Sequence, residues 1–281
     1  LAGDLGWAEI PGSKKDKSTG ASAIKPKGQV IAALPPAVKA GISVDEQNEL
    51  GEQLFEASGL KKLWRNQKST SIFEQTQLGF MGLLREEIAL INKVYSITFD
   101  PESYYRDLLG TFRRGMNKAD ELGVSQWFGS PTGKKIVQLE VDSQSMDISE
   151  KSAAMAAQIQ ATLPSKKRLG AVKKIEKGMD LTNLFITVAQ SQLQPFLPLD
   201  KEFEGEPMLA LATDLKGSVW IQPLRERMLL SLLYTYRSLT DDELASFAEF
   251  VESAPGRWFY QLRKKALIDA QTRINDGVTE Q

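Results

Sequence analysis

Arg113 and Arg237 occupy matching places in two stretches of this chain. One stretch reads Leu108-Leu109-Gly110-Thr111-Phe112-Arg113 and the other Leu232-Leu233-Tyr234-Thr235-Tyr236-Arg237. Two guanidinium groups so placed are candidates for binding an anion, because the planar fork suits carboxylate and phosphate. The plainer expectation is that each pairs with an acid or caps carbonyls at its own helix end, where a cation is ordinarily stabilising. A second match follows. Trp127-Phe128-Gly129-Ser130-Pro131-Thr132-Gly133-Lys134-Lys135 faces Phe250-Val251-Glu252-Ser253-Ala254-Pro255-Gly256-Arg257-Trp258. Trp127 and Phe250 can line a ligand groove or anchor a core shared by two copies. Arg113, Arg237, Trp127 and Phe250 are therefore the candidate ligand-binding residues.

Carboxylates offer a different chemistry. Glycoside hydrolysis needs only two acids flanking a bond, and Glu86-Glu87 and Asp241-Asp242-Glu243 would supply them. The second group is already accounted for by helix capping, and the first falls on a solvated face. The chain has no His and no Cys. That excludes zinc held by thiolate or imidazole, Ser-His-Asp or Cys-His nucleophilic machinery, and any disulfide. Neither Gly129 to Gly133 nor Gly205 fits a phosphate loop. No catalytic residue, metal ligand or cofactor is assigned. Lys166, Lys167, Arg168, Lys173, Lys174 and Lys177 form a basic stretch. It would suit peripheral contact with an anionic membrane or cell wall, though such runs are usually a solvated helix face.

Composition sets wider limits. Of 281 residues, 42 % are hydrophobic and 25 % charged, with a net charge of −1. These are the proportions of a soluble globular protein, and they argue against a nucleic-acid binder. No apolar run has the length of a membrane span. A Cys-free chain suits an oxidising compartment. A start at Leu1 rather than Met fits either a processed mature form, which a removed signal peptide would explain, or a trimmed chain.

The elements that must position these residues read as helices. Residues 1–33 carry turn formers and charge but little to bury, and are expected to form a flexible basic arm. Val44, Leu50, Leu54 and Phe55 follow the helical period, ended by Ser58-Gly59. The stretch from Ile72-Phe73 to Ile97 is apolar-periodic and stops before Asp100-Pro101. Tyr104 to Arg114 continues in a helix begun by Pro101. Thr240 and Glu243 form a capping box, with Leu239 and Leu244 as its hydrophobic staple. In the first copy Asn117 and Asp120 take the capping positions, and Ser130-Pro131 opens the next helix. Leu34-Pro35 and Leu163-Pro164 are weak candidates for matching starts. Ile136 to Val141 alternates like a strand, but its counterpart Phe259 to Arg263 reads as helix. Phe196 to Pro207 reads as an irregular loop.

The run Leu239-Thr240-Asp241-Asp242-Glu243-Leu244, then Phe250, then Ser253-Ala254-Pro255-Gly256-Arg257, resembles the bacterial domain-of-unknown-function family numbered 2059. Trp127 to Lys135 is similar, and its Ser130-Pro131-Thr132-Gly133-Lys134 follows that family's corner more closely. The resemblance implies an all-helical, exported, usually periplasmic protein, and it implies no reaction.

The expectation is an all-α protein with an internal duplication: a flexible arm over 1–33, a first helical unit over 34–162 and a second over 163–281. Its expected role is that of a non-catalytic periplasmic module that binds a protein or a small apolar ligand. The alternatives are a carboxylate-dependent cell-wall glycan hydrolase and a carrier of an apolar ligand or lipid.

Overall fold

Helix starts and stops fall where the capping residues place them. The computed structural model describes residues 43–65, 85–145, 154, 164–196 and 221–279. The expected arm, Leu34-Pro35, the stretch from Ile72 to Leu84, Leu163 and the loop from Leu197 to Pro207 lie outside them. The described residues hold eleven helices and no strand, so the chain is all-α. The first six are α1 (Val44–Ala57), α2 (Leu60–Arg65), α3 (Arg85–Thr98), α4 (Pro101–Gly115), α5 (Lys118–Gly129) and α6 (Pro131–Ser145). The remaining five are α7 (Lys166–Met179), α8 (Leu181–Leu193), α9 (Ile221–Thr235), α10 (Asp241–Glu252) and α11 (Ala254–Thr279). Phe196, expected to begin a loop, instead ends a short 3₁₀ turn and is buried in an apolar cluster.

Side-chain caps satisfy the first N–H groups that no intrahelical carbonyl reaches. Ser43 accepts from Glu46, Asp100 from Glu102 and Ser103, Asn117 from Ala119, and Ser165 from Arg168. Thr240 and Glu243 form the full reciprocal box. The described residues with left-handed backbone are Gly59 (φ 74°) and Asp180 (φ 55°). One separates α1 from α2, the other α7 from α8. Asp180 does not cap α8. Glu176, one turn back, takes that role by accepting from the Thr182 hydroxyl and N–H.

The corners between α5 and α6 and between α10 and α11 share one construction. Ser130 Oγ donates to the Trp127 carbonyl (2.6 Å) and accepts from the Gly133 N–H (3.0 Å). Ser253 Oγ donates to the Phe250 carbonyl (2.6 Å) and accepts from the Gly256 N–H (3.1 Å). A Cβ at Gly133 would strike the Trp127 carbonyl oxygen, and one at Gly256 the Phe250 carbonyl oxygen. Serine ends one helix and starts the next, and glycine lets the two backbones approach.

Packing repeats in the same way. α1 lies on α4 and α5, and α7 lies on α9 and α10. Past each corner the chain crosses over: α11 packs on α4 and α5, while α6 packs on α9 and α10. Thr111 and Thr235, which match in sequence, both sit on this crossing. Thr111 donates to Asp269 of α11 (3.1 Å), and Thr235 shares a hydroxyl contact with Ser143 of α6 (3.1 Å). Residues 41–281 form one compact unit. One apolar cluster accordingly draws Leu54, Phe55, Phe112, Phe128 and Ile136 from the first half and Ile175, Phe247 and Phe259 from the second. A smaller cluster joins Ile88, Ile91 and Tyr95 of α3 to Ile186 and Leu193 of α8 and Leu224 of α9.

Gly133→Ala and Gly256→Ala are each expected to lower stability by about 1–3 kcal/mol through overpacking. Gly129→Ala, where an added Cβ meets open space, is expected to raise it by about 0.4–1 kcal/mol through unfolded-state entropy. Urea midpoints of the three variants test this ordering.

Candidate functional site

Of the four candidate residues, the structure brings two together. Trp127 closes α5 and Phe250 lies in the last turn of α10, each three residues before its corner serine. Their rings stack with centroids 4.7 Å apart and planes 9° from parallel. Phe247 lies beyond, at 6.2 Å from the indole and also 9° from parallel. Phe128 meets Phe250 edge-on at 5.8 Å and Phe259 at 5.1 Å. The Trp127 indole N–H is buried with no acceptor among the described residues. Trp127 and Phe250 thus fill the seam between the halves by packing on each other.

Arg113 and Arg237 act separately. Arg113, on α4, pairs with Glu52 of α1. Its stem lies over Gly51, where an added Cβ would come within 2.9 Å of the Arg113 Cγ. Arg237, just past α9, donates to the Tyr234 carbonyl at 2.9 Å and holds its guanidinium 4.1 Å from the Tyr234 ring centroid. One arginine joins two helices and the other closes its own.

The acidic run and the basic stretch clasp each other. Arg168 of α7 meets Asp241 at 3.1 Å and donates to the carbonyls of Leu239 (3.0 Å) and Tyr236 (2.6 Å). Lys167 pairs with Asp242 at 2.7 Å, and Lys174 with Glu252 at 3.0 Å. Lys135 of α6 pairs with Glu243 at 2.9 Å. Lys166, Lys173 and Lys177 face solvent. Hydrogen bonding and charge from Lys167 hold Asp242 below the usual carboxylate range. Lys135, followed by the Thr240 N–H, does the same for Glu243. A general acid needs the opposite shift, so that it keeps its proton near neutral pH. Glu86 is exposed and Glu87 buried at the start of α3. Among the described residues no group of three or more acids is placed to hold a metal ion.

Three buried polar groupings were invisible in the sequence. In the first, Tyr236 donates to Glu140 at 2.7 Å. Burial, then the Glu140 charge, pushes the Tyr236 phenol well up. Tyr260 is raised by the same causes, opposed by Arg263. Glu140 and Arg263 stand the same distance past their corner serines. In the second, Tyr95 donates to the Gln192 carbonyl (2.7 Å) and to Asn275 (2.9 Å), and Gln271 links Gln192 to Asn275. In the third, the Trp64 indole N–H and the Tyr104 hydroxyl are buried with no partner among the described residues. Their ring centroids lie 6.0 Å apart. Residue type marks each of these as a core anchor; only the fold shows which polar atoms meet a partner.

In comparisons with protein families, with curated proteins and with solved structures, none matches the chain.

Trp127→Ala is expected to cost about 3–5 kcal/mol. A double-mutant cycle with Phe250→Ala is expected to show coupling of about 0.5–1.5 kcal/mol from the stacked rings. The folded value of Glu243 lies below the ordinary 4.5. Its pairing therefore stabilises the fold fully above that pH, and the contribution is lost as pH falls through the lowered value. NMR titration of the Glu243 carboxyl is expected to show the depression, and Lys135→Met to return it towards 4.5.

Proposed function

We propose that this chain is a non-catalytic binding module of an exported bacterial protein, built from two tandem copies of one helical unit. The observation that carries the non-catalytic reading is the employment of its charged candidates. Asp241, Asp242 and Glu243 hold α7 and α6 against α10, and Arg113 and Arg237 hold helices. The absence of His and Cys supports the same reading. The glycan-hydrolase alternative loses its main acids to this clasp. The duplication is supported by the paired serine corners, the paired left-handed residues and the reciprocal packing of α6 and α11. Export rests on the lack of Cys and on the resemblance to the 2059 family, whose helical character this chain shares.

A carrier of a small apolar ligand is the second reading. It is favoured by Trp64 and Tyr104, whose buried donors lack an acceptor among the described residues. The Trp127 indole N–H in the seam is unpartnered in the same way, though its ring stacks on Phe250.

The binding reading is tested by native mass spectrometry of protein purified from its own host, where a mass above that of the chain is expected. Purified protein should release no soluble fragments from peptidoglycan. Release that disappears in the Asp242→Asn, Glu243→Gln variant would restore the hydrolase reading. The duplication makes a separate prediction. Fragments divided between α6 and α7 are expected to fold cooperatively only when mixed, because the core draws on both. Circular dichroism melts of each fragment and of the mixture check this.

A further inference from the structure

α1 and α7 hold the same place in their halves but carry opposite charge. α1 lies on α4 and α5, and α7 on α9 and α10. Each runs up to a left-handed residue, Gly59 or Asp180. α1 has acids and no base, whereas α7 has bases and a single acid, the buried Glu176. The outward acids of α1 are Asp45, Glu49, Glu52 and Glu56, whose spacing sets them in one stripe along the helix. Counted back from the left-handed residues, the same positions of α7 are Lys166, Gly170, Lys173 and Lys177, all exposed.

Part of this charge is used within the fold. Lys167, Arg168 and Lys174 meet acids of α10, while Lys166, Lys173 and Lys177 make no ion pair among the described residues. Arg113 and Lys61 meet Glu52 and Glu56 but leave their side chains 59 % and 70 % exposed. Like charges four residues apart on a helix repel, and a solvated surface ordinarily mixes signs. Each stripe therefore carries a repulsion that a stripe of the other sign would relieve.

We infer that the basic stripe of α7 docks on the acidic stripe of α1 in a second copy of this chain. The contact uses exposed groups alone and is independent of the ligand readings above. A second copy accounts for both stripes at once, whereas an anionic membrane or polymer answers only α7. The net charge of −1 leaves little overall repulsion between copies. An added Cβ at Gly170 meets open space, so a carboxylate of α1 has room between Lys166 and Lys173. The contact joins unlike surfaces, the kind that builds rings or open chains when it is the sole link between copies. Exposed pairs are individually weak and are screened by salt, so the association is reversible and favoured by low salt.

Sedimentation velocity of the full chain tests this at protein concentrations up to about 1 mM. In about 10 mM salt the average sedimentation coefficient is expected to rise with concentration, and in about 1 M salt to stay at the single-chain value. Lys166→Glu with Lys173→Glu should abolish the rise, and so should Glu49→Lys with Glu56→Lys. These changes leave each helix with oppositely charged neighbours four residues apart, and circular dichroism melts should show both variants folded. Mixing the two variants should restore association, because each then offers the stripe the other lacks. A single-chain value throughout in low salt overturns the inference, as does association that persists in about 1 M salt or in either variant alone. Failure of the folded variants to associate when mixed overturns it too. A chain that stays single but sediments with phosphatidylglycerol vesicles in low salt would assign the basic stripe to an anionic surface instead.

Discussion

The arrangement of the described helices depends on how the chain turns at Ser130 and Ser253. In each corner a serine hydroxyl closes one helix and opens the next, and a glycine three residues on admits a neighbouring carbonyl oxygen that any Cβ would strike. This sharp turn lets α6 reach α9 and α10, and α11 reach α4 and α5, while α11 also packs on α8 of its own half. Trp127 and Phe250, three residues before the turns, consequently meet ring on ring. A looser turn would let each half fold its last helix back on itself, and one shared core would become two small ones. Smaller cores bury a lower fraction of their surface and are correspondingly marginal.

The charges follow from that geometry. α7 and α10 lie along each other, so the basic stretch of one faces the acids of the other. Exposed pairs of this kind contribute little each, and their larger effect is on register and on the ionisation of the acids. They hold Asp242 and Glu243 below the usual carboxylate range, the opposite of what a proton donor needs. Arg168 is the most integrated member, since it binds Asp241 and two carbonyls at the end of the α9 segment. The polar chemistry that remains is buried: a tyrosine–glutamate pair, an amide network around Tyr95, and donor atoms of Trp64, Tyr104, Arg113, Trp127 and Arg263 that lack an acceptor among the described residues.

Local features were legible because their causes are local. Thr240 and Glu243, Asn117, Asp100-Pro101 and Ser130-Pro131 announce helix ends through hydrogen bonds spanning two or three residues. Ile136 to Val141, with its strand-like alternation, still belongs to a helix, because the corner before it and its packing outweigh a short periodic pattern. The role of Glu176 was not legible. It caps α8 because Asp180 adopts a left-handed backbone and its own side chain makes no cap hydrogen bond. Phe196 opens a stretch that reads as an irregular, proline-bearing loop, yet its ring is buried with Tyr95.

The sequence by itself determined that the chain is helical, where several of the described helices begin or end, which catalytic machineries are impossible, and that two stretches carry the same punctuation. Each of these follows from residue identity or from bonds across a few positions. Tertiary structure decided which half each long helix packs against, that equivalent aromatics stack, that the acids are clasped by lysines and an arginine, and that the Trp64 and Tyr104 donors lack an acceptor among the described residues. Those outcomes depend on residues far apart in the chain meeting in space. Pairing, burial and hydrogen-bond satisfaction are properties of that meeting and are absent from any local pattern.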